Sequence, residues 1–328
     1  MLAKSNLLFT VIIVNHNGGN YPAGAIQSLA AQTCRDFEVI FVDNASRDGS
    51  ALHLETDGMP SFTLLLEDEN HGFARGNNLA ARQAKGDWLV LLNPDAAAHP
   101  DWLEKIAEAI ERFPSTRMFA STQYAMESPG LLDGAGDAYL IFGIPWRGGF
   151  CRPRSELPGI GECFSPCGAG AVYHRDTFLS HNGFDERFFC FCEDVDLGFR
   201  MRLAGENCIF LPDAIIEHAG GALSGRQSDF SHYHGARNRL WTYFKNMPWP
   251  IMLVTLPGHV AISIYLLIRH KMTRQGDATW RGMRDGLTGI GAIRRDKSYG
   301  PPKRKVSLWK IARAMAWNPF AMSKHEVH

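Results

Sequence analysis

Three carboxylates stand together beyond the middle of the chain, directly after an aromatic run. The carboxylates are Glu193, Asp194 and Asp196, and the run is Phe188–Phe191. Burial beside aromatic rings raises the pKa of a carboxyl group, whereas the N-terminus of a helix favours its charged form. A carboxylate under these opposing influences suits a general base near neutral pH. Acidic residues also favour the first turn of a helix for structural reasons alone, and that alternative stays open here.

The residues that follow predict the helix that positions these carboxylates. Apolar residues recur at every fourth position from Val195 to Leu203, as on one face of an amphipathic helix, and Gly205 is a typical residue to end it. Glu193 and Asp194 would therefore lie in the first turn, with the aromatic run behind them.

A second group of candidate residues follows a predicted strand. Asp95 stands two positions after Asn93, and its carboxylate suits a hard divalent cation that bridges and neutralises a diphosphate. His218, which follows the strand-like segment Cys208–Ile216, could add a nitrogen ligand, although a lone histidine is more often structural. Asn-Pro-Asp is also a typical turn sequence, so this motif is weak on its own.

Strands alternate with helices through the first third of the chain. The predicted strands are Phe9–Val14, Glu38–Val42, Phe62–Leu66 and Trp88–Leu92, and the predicted helices are Pro22–Ala31, Gly76–Lys85 and Asp101–Phe113. This alternation predicts a mostly parallel sheet with helices on both faces and ligands beyond the carboxyl ends of the strands. Polar residues cluster at those ends, at Asn15, Asp43, Asn70–Asn78 and Asn93–Asp95. They are candidate partners for a base, a ribose and phosphates, and turn formation is the alternative.

Composition narrows the class of protein. The 328 residues, 45% hydrophobic with a formal net charge of zero, allow one large domain or two smaller ones. Seven cysteines without paired CxxC elements indicate neither a disulfide framework nor a structural zinc site, and reduced cytosolic thiols are expected. The apolar N-terminus runs directly into the first strand without a cleavage motif, so it does not resemble a signal peptide. Tyr124–Gly161 is rich in Gly and Pro and predicts a long loop near the site.

The C-terminal part differs in character from the rest. Trp249–Ile268 contains no Lys, Arg, Asp or Glu over 20 residues, which is long enough to cross a bilayer, but Pro250 and Pro257 interrupt it. From Arg269 onward there are 14 Lys and Arg against 4 Asp and Glu. We expect a helix that lies in or dips into the membrane, with a pair of buried core helices as the alternative. The predicted domains are 1–245, a catalytic domain, and 246–328, a helical region that associates with the membrane.

Six ordered motifs resemble those of family 2 glycosyltransferases and span about residues 8–245. They are TVIIVNHNGG, VDNASRDGS, NHGFARGNN, LLNPDA, CGAGA and FxxxxEDVDLGFR. The resemblance implies an inverting enzyme with the α/β GT-A fold, a Rossmann-like and mostly parallel sheet with helices on both faces. The subgroup most similar to this chain is the rhamnosyltransferases of bacterial surface polysaccharide assembly, such as that of lipopolysaccharide.

The resemblance also implies roles for individual residues. Asp194 would deprotonate the acceptor hydroxyl with Glu193 beside it, and Asp95 and His218 would hold Mg²⁺ or Mn²⁺. The residues implied to contact the nucleotide sugar are Asn15, Asp43, Gly72, Arg75, Asn77, Asn78 and Asn93. Asn93 replaces the Asp of many family members, which removes one charge from the metal site.

The implied reaction moves a sugar from a nucleotide diphosphate to a hydroxyl of a glycan, free or linked to a polyprenyl diphosphate. L-rhamnose from dTDP-rhamnose is the first expectation, and a UDP-hexose or UDP-galactofuranose donor is the alternative. Arg237 and Arg239 could contact such an acceptor, or could form a solvated helix face. The expected location is the cytoplasmic surface of the cell membrane.

Other functional classes fit the sequence less well. A nicotinamide dehydrogenase should carry GxGxxG after its first strand, and a sugar-nucleotide pyrophosphorylase should carry Arg in a glycine-rich loop, whereas Asn15–Asn20 has neither. A non-catalytic nucleotide-sugar-binding subunit is harder to exclude, but it should lack the base or the metal ligand, and both Asp194 and Asp95 are present. No recognised nucleic-acid motif accompanies the basic tail, so no nucleic-acid partner is expected.

Overall fold

The computed structural model describes residues 7–52, 54–221, 228–271 and 273–326. Its strands are β1 Phe9–Asn15, β2 Phe37–Asn44, β3 Phe62–Glu67, β4 Trp88–Leu91, β5 Ala96–Ala98, β6 Met118–Ala125, β7 Leu132–Ala135, β8 Asp137–Leu140, β9 Ile144–Arg147, β10 Gly161–Cys163, β11 Ala171–His174 and β12 Cys208–His218. Its helices are α1 Tyr21–Ala30, α2 Gly72–Gln83, α3 Trp102–Arg112, α4 Arg175–Ser180, α5 Glu193–Ala204, α6 Asp229–Asn246, α7 Trp249–Lys271, α8 Gly276–Arg295, α9 Leu308–Arg313 and α10 Pro319–Ser323. All seven cysteines are free thiols.

The main sheet is mixed, with the order β10-β12-β6-β11-β4-β1-β2-β3. The strands β4, β1, β2 and β3 are parallel neighbours, whereas β11 runs antiparallel between β4 and β6. The register of β1 and β2 sets Asn15 beside Asp43 at the carboxyl ends of both strands. The pairing of β1 with β2 therefore brings the two residues expected to bind the nucleotide together at one edge of the sheet.

Helices cover both faces of this sheet, because side chains of a strand point alternately to its two sides. Val11 and Ile13 of β1 belong to a core cluster that includes residues of α1 and α3. Ile12 and Val14 belong to a second cluster that includes residues of α2, α4 and α5. The prediction of a Rossmann-like sheet between two helical layers is confirmed.

The prediction of a long loop over Tyr124–Gly161 is wrong. β7 pairs with β6 at the main sheet, and β8 and β9 form a separate antiparallel hairpin. These strands have four residues each, too few to produce a readable period. The stretch brings Asp133, Asp137 and Arg147 into the site described below.

One face of α7 packs on the rest of the protein, and the opposite face is apolar and exposed. Thr255, His259 and Ser263 form a buried stripe at every fourth position, and Thr255 Oγ1 lies 2.8 Å from the Tyr243 hydroxyl. The exposed side chains include Leu253, Val254, Ile264 and Ile268. Within the described ranges, α7 is the one helix long and apolar enough to cross a membrane. It is continuous over 23 residues with Pro257 inside, so the prolines do not interrupt it as predicted.

The chain that follows α8 returns to the β8–β9 hairpin. Trp146 Nε1 donates to the Glu326 carbonyl at 3.0 Å, and Gly149 N donates to the His325 carbonyl at 2.7 Å. α9 contributes Ile311 to a core cluster that also holds Phe199 of α5. The regions on either side of residue 246 thus share a core, and a domain boundary there stays a prediction.

A buried ion network joins α5 to α6. Lys245 Nζ lies 2.6 Å from Asp185 and 2.9 Å from Asp196, and none of the three side chains is exposed. Arg200 contacts Asp196 at 2.9 Å, and the Asn246 amide donates to the same carboxylate at 2.7 Å. Asp196 is therefore a structural anchor and not a third candidate for chemistry.

Lys245→Met should lower the free energy of unfolding by about 3–5 kcal/mol, because it leaves buried carboxylates without their central cation. Urea denaturation measures this loss. The matched control is Lys105→Met on α3, whose ammonium pairs with Glu108 at the surface and should show no measurable change. An unchanged midpoint for Lys245→Met would contradict the role of the network.

Candidate active site

Asn15 and Asp43 form the first part of the site at the carboxyl ends of β1 and β2. Asn15 Nδ2 donates to Asp43 Oδ1 at 2.9 Å and to the Ser50 hydroxyl at 2.9 Å. The backbone N–H and the hydroxyl of Ser46 also donate to the Asp43 carboxylate. Asn15 Oδ1 is buried and has no hydrogen-bond partner among the described residues. The pair is thus rigidly held and keeps one unused acceptor.

Three side chains of α2 were predicted to contact the nucleotide sugar. Two are buried amides with structural hydrogen bonds, and the third is an exposed cation. Asn77 Nδ2 donates to the Phe73 carbonyl of its own helix, and Asn78 binds the backbone N–H and carbonyl of Phe184. Arg75 is exposed at the same end of the helix. Arg75 is therefore free to meet phosphates, whereas the two buried amides stabilise the segment that leads to the carboxylates.

The candidate metal ligands meet where β5 pairs with β12. His218 Nε2 lies 3.2 Å from Asp95 Oδ1 and 3.2 Å from Asn93 Nδ2. His218 Nδ1 lies 2.7 Å from a carboxylate oxygen of Asp133, and this contact orients the ring as in carboxylate–histidine–metal triads. Burial lowers the pKa of His218, but its bonds to Asp133 and Asp95 outweigh burial and raise the pKa above its ordinary value.

This donor set fits a divalent cation. One carboxylate and one imidazole nitrogen face each other, and Asn93 Oδ1 is buried without a partner among the described residues. Oxygen and imidazole ligands suit Mg²⁺ and Mn²⁺. A cation would also offset the negative charge of Asp95 and Asp133, which the raised pKa of His218 reflects.

Asp133 and Arg147 are the site residues that sequence reasoning missed. Arg147 forms an ion pair with Asp133 and is half-buried. Both residues lie in the stretch interpreted as a loop. The acidic pair Asp133 and Asp137 in LDGAGDAYL was the available signal.

Glu193 and Asp194 occupy the first turn of α5, as predicted. Asp194 is partly accessible, and its two oxygens accept from Gly168 N and Val195 N, both at 2.8 Å. Burial raises the pKa of Asp194, but these two N–H donors oppose the rise. Glu193 is buried with one oxygen lacking a partner among the described residues, and burial together with the Asp194 charge raises its pKa well above the ordinary range.

Burial therefore raises the pKa of both carboxyl groups, but to different extents. Two N–H donors oppose the rise at Asp194, whereas the Asp194 charge adds to the rise at Glu193. Neighbouring acids with pKa values pushed apart are typical of acid–base chemistry. Asp194 is also the accessible member of the pair.

The turn Gly168–Gly170 joins the two halves of the site. Gly168 N donates to Asp194, and the Ala169 carbonyl accepts from Asn93 N at 3.2 Å. The CGAGA motif thus sets the candidate base and the candidate metal ligands on either side of one turn.

A second cluster, Asp137, Cys167 and Asp194, also has its ligand atoms within 4.8 Å of one another. Burial raises the pKa of Asp137 well above its usual range and that of Cys167 to about 12. A thiol is a soft ligand and suits a hard cation poorly. The Asp95–His218 pair is the better metal site.

The segment before Glu193 is strained. Three non-glycine residues have φ angles of 64–71°, a region that costs about 1–3 kcal/mol for each such residue; they are Phe189, Phe191 and Cys192. On one side the Phe189 carbonyl accepts from Ala74 N at 3.1 Å. A Cβ at Gly72 would lie 2.5 Å from that carbonyl, so only glycine fits there.

Asn238 of α6 holds the other side of this segment. Its buried Nδ2 donates to three backbone carbonyls at 2.8–2.9 Å, those of Phe188, Cys190 and Phe191. Arg237 adds a bond to the Phe188 carbonyl at 2.9 Å. The strained conformation is thereby secured next to the two carboxylates.

The alternative that Arg237 and Arg239 form a solvated helix face is wrong. The Arg237 guanidinium lies 4.4 Å from the ring centre of Trp241 and bonds to the strained segment. Arg239 is buried and donates to the Ser263 hydroxyl of α7 at 3.1 Å. Contact of either residue with an acceptor stays a prediction.

Comparisons with known proteins identify the family of this chain. The family model of glycosyl transferase family 2 matches residues 10–176, half of the chain, and the chain belongs to this family. It is 27% identical over 297 residues to the N-acetylglucosaminyl-diphospho-decaprenol L-rhamnosyltransferase of Mycobacterium tuberculosis, covering 80% of this chain and 94% of the relative. The chain is thus a glycosyltransferase of rhamnosyltransferase-like type.

Two solved structures show the same fold. S. aureus TarS 1-349 in complex with UDP-GlcNAc has a TM-score of 0.58 at 16% identity, covering 89% of each chain, and the present chain spans half the length of TarS. The mannosyltransferase PcManGT from Pyrobaculum calidifontis, in complex with GDP-Man and Mn²⁺, has a TM-score of 0.51 at 18% identity and covers 88% and 86% of the two chains. The prediction of the GT-A fold is confirmed.

Asn238→Ala should lower kcat about 10- to 100-fold, because the carboxylates lose their position when the strained segment relaxes. Nucleotide affinity should stay unchanged, since Asn238 Nδ2 bonds to the strained segment and not to Asn15 or Asp43. Steady-state kinetics with nucleotide titration separate the two effects. The control is Thr242→Ala, one turn further along α6, whose buried hydroxyl donates to the Asn238 carbonyl. Equal loss of kcat in both variants would contradict a specific role for Asn238.

Proposed function

We propose that this chain is an inverting glycosyltransferase that moves L-rhamnose from dTDP-rhamnose to a hydroxyl of a glycan linked to a polyprenyl diphosphate. The proposed setting is bacterial cell-surface polysaccharide biosynthesis. The observation that carries the proposal is the partly accessible Asp194, held by two backbone N–H donors beside the buried Glu193 and across one turn from Asp95 and His218. The name of the Mycobacterium tuberculosis relative supports rhamnose as the sugar and a lipid-linked acceptor.

The donor would lie along the carboxyl ends of the parallel strands. Asn15 and Asp43 would bind the base and ribose, and Arg75 would meet the phosphates. Asp95 and His218, with Asn93 beside them, would hold Mg²⁺ or Mn²⁺, and the ion would stabilise negative charge on the departing diphosphate. The Mn²⁺ in the mannosyltransferase complex supports this choice of cofactor.

Asp194 would take the proton of the acceptor hydroxyl. The acceptor oxygen then bonds to the anomeric carbon as the bond from that carbon to the diphosphate breaks, so configuration inverts. The proton stays on Asp194, and the nucleoside diphosphate leaves. Positioning and electrostatic stabilisation supply the catalysis.

The exposed apolar face of α7 supports a position on the cytoplasmic surface of the membrane. The buried stripe opposite it holds α7 against the domain along its length, so the helix would lie in the interface and not span the bilayer. Arg269 and Lys271 end the helix with positive charge, which favours anionic lipid.

Asp194→Asn should lower kcat about 10²- to 10⁴-fold while nucleotide binding is kept, because an amide cannot accept the hydroxyl proton. Glu193→Gln is the control, since the amide resembles the protonated acid and should keep most of the activity. Because burial raises the pKa of Asp194, kcat/KM should fall on acidification at a pH above that expected for an ordinary Asp. The opposite order of the two variants would contradict the assignment of the base.

Mn²⁺ should strengthen dTDP binding to the wild type, and Asp95→Asn should lose that gain, because the carboxylate holds the ion. Calorimetric titration with dTDP, UDP and GDP, with and without Mn²⁺, tests both donor and metal. Asp137→Asn is the control and should keep the metal effect. A loss confined to Asp137→Asn would move the metal to the other cluster, and preference for UDP would replace the donor.

Leu253→Glu with Val254→Glu should release the protein from anionic vesicles, because both side chains are exposed on the apolar face of α7. Each buried Leu or Val contributes about 1.5–3 kcal/mol to such binding, so the bound fraction should fall more than about tenfold. The control is Leu52→Glu with Leu66→Glu, two equally exposed apolar residues elsewhere. Vesicle flotation measures the effect, and equal binding of all three proteins would refute the membrane surface.

A further inference from the structure

α6 carries three cationic side chains in its second half, and two of them have evident partners. Lys245 contacts two carboxylates, and Arg237 binds backbone carbonyls and stacks over Trp241. Arg239 is 6% exposed, and its polar contact is the Ser263 hydroxyl at 3.1 Å. Within the described ranges no carboxylate lies at ion-pair distance from Arg239.

This arrangement is unfavourable unless an anion joins it. Burial lowers the pKa of Arg239 to about 10, so the guanidinium is still charged at neutral pH. A buried charge without a counter-charge is costly, and the cost falls when an anion binds it. Guanidinium groups bind phosphate groups with good geometry.

Arg239 lines a cavity of about 280 Å³ between α6, α7 and α8. The polar wall also contains His232, His270 and Thr279, with the Thr279 hydroxyl 3.2 Å from Nδ1 of each histidine. Leu266 and Met283 contribute an apolar wall. The cavity therefore offers Arg239 to an anion and the nearby apolar side chains to hydrocarbon.

The cavity lies between α7, which carries the apolar face, and α6, which holds the segment before the carboxylates. Ile264 and Ile268 are exposed on α7 within one turn of Leu266. On the inner side, Arg239 directly follows Asn238, which holds the segment before Asp194. Arg239 is therefore adjacent in sequence to a residue that positions the carboxylates, on a helix that packs against α7.

We propose that this cavity binds the phosphate head of an isoprenoid phosphate, with the phosphate on Arg239 and the adjoining hydrocarbon against Leu266 and Met283. The inference rests on the proposed function, since the ligand is the lipid end of the acceptor. The cavity is too small for a long polyprenyl chain, so the remaining chain continues along the exposed face of α7.

Farnesyl diphosphate is a suitable probe, and inorganic diphosphate and farnesol are the two reference ligands. Calorimetric titration is made with the full chain carrying Asp95→Asn and without divalent cations, so that metal-assisted binding of a diphosphate at the nucleotide site is removed. Farnesyl diphosphate should bind at least about tenfold more tightly than either reference, because only it brings both a phosphate to Arg239 and hydrocarbon to Leu266 and Met283. Equal binding of inorganic diphosphate would overturn the lipid assignment and leave a simple anion site.

Arg239→Gln should weaken farnesyl diphosphate binding about 30-fold or more, and Arg239→Lys should restore part of it. The matched control is Arg281→Gln, an exposed arginine of α8 that lines a different hollow. Leu266→Trp occupies the space proposed for the hydrocarbon. It should therefore weaken farnesyl diphosphate binding but not inorganic diphosphate binding. It serves as the independent variant if Arg239→Gln does not fold.

Two outcomes separate this inference from the proposed function. If wild type binds dTDP with Mn²⁺ but the Asp95→Asn chain binds no farnesyl diphosphate, the cavity assignment is wrong and the transferase stands. If farnesyl diphosphate binds equally to Arg239→Gln and to the control, the site lies elsewhere. Failure of the wild type to bind any nucleotide would instead refute the proposed function.

Discussion

Two backbone N–H groups point at the Asp194 carboxylate and stabilise its charged form against burial. One belongs to Gly168 and the other to Val195, so the charge depends on the placement of the Gly168–Gly170 turn against the first turn of α5. Backbone donors need no reorganisation when charge moves, which makes such a site effective for proton transfer. The strained segment, the buried ion network and α6 all serve to keep these two elements together.

α6 connects three parts of the molecule through closely spaced residues. Asn238 secures the strained segment before Asp194, and Arg239 meets Ser263 of α7. Lys245 joins the ion network beneath α5. α6 thus links the buried side of α7 to the segment that positions the carboxylates. This geometry suits an enzyme whose acceptor is held at a membrane while its donor comes from solution.

Much of the fold was predictable because its local patterns are strong. The strand ends at Asn15 and Asp43, and the helix from Glu193 to Ala204, followed from hydrophobic period and from turn and capping residues. Gly205 has φ 111° and ends α5 as expected. The resemblance to a family added the residues at which chemistry would occur, and pattern alone left their structural alternatives open.

The rest was not predictable because it depends on contacts between distant residues. Asp133 meets His218 across 85 positions, and its strand is too short to show a period. Asn238 binds carbonyls about fifty positions away, and nothing local distinguishes it from an exposed polar residue. Arg239 likewise resembled a solvated charge until α7 was placed over it. Tertiary packing decided the role of each.

The account predicts that Asp194 ionises before Glu193 and that both ionise at higher pH than ordinary carboxyl groups. A pH titration by carbon-13 NMR of the two side-chain carboxyls tests this most directly, with Asp194→Asn and Glu193→Gln used for assignment. Ionisation of Asp194 first, with Glu193 still protonated near neutral pH, is the predicted result. Ionisation of Glu193 first, or of both at the pH of free carboxyl groups, would contradict the proposed division of roles.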